Sequence, residues 1–157
     1  MKFLLLSVPV LDLQYPPSSP AIIKSCLVSA GHDATVFDTN ILLYTLAGSD
    51  QRFVELSNLF EVCGVNEQWE NYTQALFDTE HEIIQEWLYK ITERIQQEQP
   101  DWLGISVFSY KSHKAALLIS LTAKKLLPDL KIVVGGRGAS SYPFGPDSSR
   151  FSDKLNK

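Results

Sequence analysis

Residues 2–38 read KFLLLSVPVLDLQYPPSSPAIIKSCLVSAGHDATVFD, and the order of patterns in them decides the fold class. Phe3 to Val8 is a continuous apolar run, the mark of a strand covered on both faces of a parallel sheet. Ser19 then caps a helix with Pro20 at its first position, where a missing N–H costs nothing. Ala21, Ile22, Ile23, Cys26, Leu27 and Ala30 recur at helical spacing as a core-facing stripe, and Gly31 stands where a left-handed cap is wanted. ATVFD, residues 34–38, follows as a β-rich run. Strand, helix, strand in this span makes a right-handed crossover unit.

Outward from that unit, the segment from Ile41 to Gln99 is about twice the length of an ordinary crossover, so it carries helices of its own. TEHE, Thr79 to Glu82, is a capping box. Ile83, Ile84, Trp87, Leu88, Ile91 and Ile95 follow on one face until Pro100 stops the helix. Phe53, Leu56, Leu59 and Phe60, then Trp69, Tyr72 and Phe77, predict one or two shorter helices, their aromatics assigned to the core. Alternation resumes with a strand at Trp102 to Phe108 and a helix from about Lys111 to Leu127, with Ala115, Leu118, Ile119, Thr122 and Leu126 inward. Lys131 to Gly136 is a fourth strand, and the residues after it have loop chemistry.

The expected fold is therefore α/β: an open parallel sheet of about four strands with helices on both faces and a helical insert after the second strand. One domain spans residues 1–140, with the insert at 41–99 and a tail at 141–157. The chain has 157 residues, 45% of them hydrophobic and 20% charged, enough to bury a core without staples. A net charge of −4 offers no basic stripe, which argues against nucleic acid as a partner. The apolar start is too short for a membrane span and has Pro9 inside it, so no membrane partner and a cytoplasmic location are expected. Cys26 and Cys63 are expected as reduced, buried thiols.

In open α/β sheets ligands bind beyond the carboxyl ends of the strands. Those ends carry hydroxyls at Ser18, Ser19, Ser106, Ser109, Ser140 and Ser141, open backbone at Gly135, Gly136 and Gly138, and few charges. Such a rim suits a large, mostly neutral ligand better than a triphosphate. The first loop has no glycine, which removes both a dinucleotide fingerprint and a P-loop. Val8, Pro9, Phe108 and Ser109 stand where a receiver domain of the signalling type needs acids. Ser18 and Ser19 give a flavodoxin-like loop its hydroxyls, but Pro17 and Pro20 remove backbone donors.

Three blocks in order, YPPSSPAIIKSCLVSAGHDATVFDTN, QPDWLGISVFS and LPDLKIVVGGRGAS, resemble the cobalamin-binding domain that precedes the catalytic barrel in cobalamin-dependent radical S-adenosylmethionine enzymes. The resemblance spans roughly residues 9 to 140. It implies cobalamin as cofactor, its ring over the strand ends and its lower face or nucleotide tail against the loops. By position it implies contacts from Tyr15, Pro16, Pro17 and Ser18 in the first loop, Asp38 and Asn40 in the second, Ser106 and Ser109 in the third, and Gly135, Gly136 and Arg137 in the fourth. Arg137 and Gly138 depart from the family's usual GGPH.

No histidine has an aspartate two residues before it, so the resemblance offers no axial histidine. No C-x-x-x-C-x-x-C is present, so no iron–sulfur cluster is expected from this chain. The reading is a corrinoid-binding module, non-catalytic on its own, that resembles its family's domain cut before the fifth strand. An interaction or structural domain that lost the ligand is the alternative, and an enzyme using a nucleotide or sugar-nucleotide is a third. His32, His81 and His113 are assigned surface roles, and Asp38 is weighed equally as a helix cap and a ligand contact. The fourth strand's open edge is expected to pair with a second copy or a partner chain.

Overall fold

The computed structural model describes residues 1–9, 13, 17–60 and 82–140, with Tyr110 and Ser140 described by their backbone alone. Four strands, β1 (Lys2–Ser7), β2 (Asp33–Asp38), β3 (Trp102–Ser106) and β4 (Lys131–Gly135), form one parallel sheet in the order β2-β1-β3-β4. The helices are α1 (Ser18–Ser29), α2 (Thr39–Ala47), α3 (Asp50–Phe60), α4 (Glu82–Glu98) and α5 (His113–Leu126). Short 3₁₀ turns stand at Tyr110–Ser112 and Arg137–Ser140. The open parallel α/β sheet with a helical insert after β2 is the expected fold.

One face of the sheet is thickly covered. Leu4, Leu6, Val8, Leu103, Ile105 and Val107 pack with Leu43 of α2, Phe53, Leu56 and Phe60 of α3, Ile84, Trp87, Ile91 and Ile95 of α4, and Ala115, Leu118 and Ile119 of α5. The stripe predicted for α4 is this core, with Ile84, Trp87, Ile91 and Ile95 buried and Ile83 and Leu88 half-buried. Trp87 also donates its indole N–H to the carbonyl of Thr39 at 2.7 Å, so one buried side chain ties α4 to the start of α2. At the lower end of the sheet, Lys2 reaches Glu98 at 2.8 Å, and Arg94 reaches the same carboxylate at 2.7 Å. The Lys2 amide also donates to Asp101 Oδ2 at 2.7 Å.

The other face is covered by α1 alone among the described helices, and α1 departs from expectation. Pro20 is its single buried residue; Ile22 and Ile23 are 62% and 47% exposed, and Cys26 is an exposed free thiol rather than a buried one. The apolar stripe is present but lies against too little to be buried by it. The helix also starts earlier than predicted, with Pro17 as N-cap and Pro20 in the third helical position, still inside the first turn where no intrahelical N–H bond is lost. Its far end is as predicted. Gly31 has φ 79°, its N–H donates to Val28 and that of His32 to Leu27, closing a paired C-terminal cap.

One histidine expectation changes: His113 is 2% exposed rather than on the surface. His32 is half-buried behind the Gly31 cap, its ring 5.5 Å from that of Phe3. The capping box at Thr79–His81, Cys63, Trp69, Tyr72, Phe77 and the tail 141–157 lie outside the described residues.

Candidate functional site

The strand order creates the site. From β1 the chain passes through α1 to β2 on one side, and β3 pairs on the other side after the helices of the insert. Between the carboxyl ends of β1 and β3 the covering helices diverge to opposite faces, which opens a crevice there. In a parallel sheet paired residues share a face, so the register sets Asp38, Ser7, Ser106 and Gly135 in one row along the upper rim. Val36, Leu5, Gly104 and Val133 form the row beneath it.

That lower row has a gap in the middle. Gly104 carries no side chain, and a Cβ added there would lie 2.6 Å from Leu5 Cδ2. Above the gap a slot of about 200 Å³ runs between the sheet and α1, lined by Leu5, Gly104, Ser106, Val133, Gly135 and Gly136 on the sheet side and by Ser19, Pro20 and Ile23 on the helix side. Among the described residues no charged side chain lines it. Two serine hydroxyls mark its upper end, Ser19 and Ser106, and beside Ser106 in the same rim row lies Ser7 of β1. The Ser7 hydroxyl is fully buried and has no hydrogen-bond partner among the described residues, while its carbonyl accepts from Thr39 Oγ1 at 2.7 Å.

The fourth corner folds back over the third. Gly136 has φ 106°, and a Cβ there would sit 2.5 Å from the Val107 carbonyl oxygen, so both conformation and space require glycine. Beyond it the Gly138 N–H donates to that same oxygen at 2.9 Å. His113, at the start of α5, donates from Nε2 to the Gly138 carbonyl at 2.8 Å and so clasps the loop from below. Burial lowers its pKa, against a smaller opposing pull from that hydrogen bond, which keeps the ring neutral.

The residues expected at the site divide into three groups. Ser106, Gly135 and Gly136 meet in the slot. Pro17 and Ser18 stand at the start of α1 next to Ser19, Ser109 is half-buried at the third corner, and Arg137 is exposed in the 3₁₀ turn of the fourth. Asp38 and Asn40 face other work. The Asp38 carboxylate accepts from the N–H groups of Asn40 and Ile41 at 2.9 and 3.1 Å as the N-cap of α2, and Asn40 is 3% exposed. Tyr15 and Pro16 lie outside the described residues.

Sequence reasoning missed Leu5, Ile23, Gly104 and Val133, as well as Phe108, which is 60% exposed at the third corner. The signal for most of them was the period of two: Gly104 shares a face with Ser106, and Val133 with Gly135. Among the described residues no group of three or more His, Cys, Asp or Glu gathers to hold a metal, and no helix is long and apolar enough to cross a membrane. The sequence matches no family model, and no curated protein or solved structure matches the chain.

Proposed function

We propose that the chain is a corrinoid-binding module in which the slot takes the nucleotide tail of cobalamin and the ring lies outside, over the strand ends. The observation that carries this reading is the slot itself, whose described lining bears no charge, floored by Gly104 and opening at the rim between Ser19, Ser106 and Gly135. At about 200 Å³ it is smaller than a cleft that encloses a drug-sized ligand, typically about 300–1,000 Å³. It has room for a flat heteroaromatic base and none for a corrin ring. A ring left outside meets exposed Phe108, Ser18 and Arg137, an apolar and hydrogen-bonding fringe suited to its amide-bearing edge. A triphosphate finds no cation among the described residues of the slot and no glycine loop before α1. Cobalamin chemistry, where bound, supplies a cobalt centre; the chain's part is to hold the tail and thereby keep its base off the metal.

Titration with hydroxocobalamin, followed by visible absorbance and by retention through desalting, tests the reading, with cobinamide, which lacks the nucleotide, as the comparison. Cobalamin retained with its base displaced and cobinamide held more weakly is the expected result. Equal retention of both would remove the slot from the account. Retention of neither would leave the second reading, an interaction domain that kept the fold, favoured by the exposed apolar side chains of α1 and β4.

A further inference from the structure

Strand β4 ends the sheet, and no described residue pairs with its outer side. The Gly135 carbonyl accepts from the Val107 N–H at 2.8 Å, so Gly135 turns its polar groups towards β3. Alternation gives Val133 the same direction and turns the amides and carbonyls of Ile132 and Val134 outward. Natural edges are commonly guarded by an exposed lysine, a proline or a bulge. Here the strand's single charge is withdrawn: the Lys131 ammonium lies 5.2 Å from the centroid of the Trp102 ring, drawn back over β3. What remains is Ile132, Val133 and Val134, β-branched throughout, with Val133 49% exposed.

We infer that β4 pairs antiparallel with β4 of a second copy of this chain, about a two-fold axis through Val133, joining the two four-stranded sheets into one. The strand is self-complementary in one register. Centred on Val133, the pairing sets Ile132 opposite Val134 and uses every outward amide and carbonyl of both residues. A centre on Ile132 or Val134 leaves part of that set unpaired. The same register puts Lys131 opposite Gly135, so the two lysines lie at opposite ends and never face each other, whereas sliding further brings Lys131 against Lys131. Val133 then meets its own copy at a site without mutual hydrogen bonds, where facing side chains come closest.

Sedimentation of the full chain without any corrinoid tests this, and its outcome is independent of what the slot binds. The expected species has twice the 17.7 kDa mass of the chain. Val133→Lys and Val133→Glu, each checked for folding by circular dichroism, are each expected to lose the dimer, and an equimolar mixture of the two to regain it. If either charged variant fails to fold, Val133→Cys decides in a chain that also carries Cys26→Ser and Cys63→Ser, because mild oxidation can then link two chains only through that facing pair. A monomer at every accessible concentration of wild type overturns the inference. So do charged variants that dimerise separately, a folded mixture that stays monomeric, or a cysteine variant that does not cross-link.

Discussion

Gly135 and Gly136 are neighbours in the chain and opposites in what they tolerate. A Cβ at Gly135 meets nothing within 4 Å and the backbone there is ordinary strand, whereas at Gly136 both φ and the Val107 carbonyl forbid one. Gly135→Val is therefore expected to fold with stability within about 0.5 kcal/mol of wild type, by urea denaturation, because its branched side chain suits a strand and displaces nothing. That side chain projects into the mouth of the slot, so retention of hydroxocobalamin should be lost. Normal retention by Gly135→Val would mean that the ligand does not enter there. Both glycines were legible in the sequence as open backbone at the end of the fourth strand, but not which one is held by sterics and which leaves room. That difference depends on Val107, which reaches Gly136 only through the pairing of β3 with β4.

Among elements, the strands and α4 were readable because each carries its own pattern: a short apolar run, or a stripe with a proline behind it. Helix α1 was readable as a helix and misread as a buried one. Ile22 and Ile23 repeat correctly, but periodicity reports that a stripe exists, not how much lies opposite it. The start of α5 was misread in the other direction, since burial of His113 comes from the fourth corner folding over it. The buried ring has a pKa below its unfolded value of about 6.5, so the folded state binds fewer protons than the unfolded chain as pH falls. Its contribution to stability is whole above about pH 6.5 and is lost as pH drops through the lowered folded value. The Tm of wild type should decline in that window relative to His113→Gln, which can still donate to Gly138 but does not titrate. Glu98 acts lower on the scale, since hydrogen bonding from Lys2 holds its carboxyl below the usual carboxylate range. Parallel Tm curves for wild type and His113→Gln across that window would refute the clasp as the titrating element.

For the whole molecule, what matters is the unequal covering of the sheet. Four described helices seal one face and α1 rests on the other with Pro20 as its buried residue, so the free energy needed to open α1 is far less than that needed to open α4. Hydrogen exchange should find the amides of Ala21 to Ser29 the least protected of any described helix, and hydroxocobalamin should slow them selectively if the slot is filled. Protection in α1 equal to that in α4 would contradict this division. The strand order carries a different consequence, one of timing. β1 lies between β2 and β3, and the Lys2 amide is held by Asp101, 99 positions away. At a synthesis rate of about 5–20 residues per second, β1 has emerged for roughly 5–20 s before the strand that covers its second edge exists. The helices α2 to α4 are made before β3 and can cover Leu4 and Leu6 first, so what the nascent chain lacks until β3 arrives is a partner for the second edge of β1, with Leu5 still waiting for Gly104 beside it.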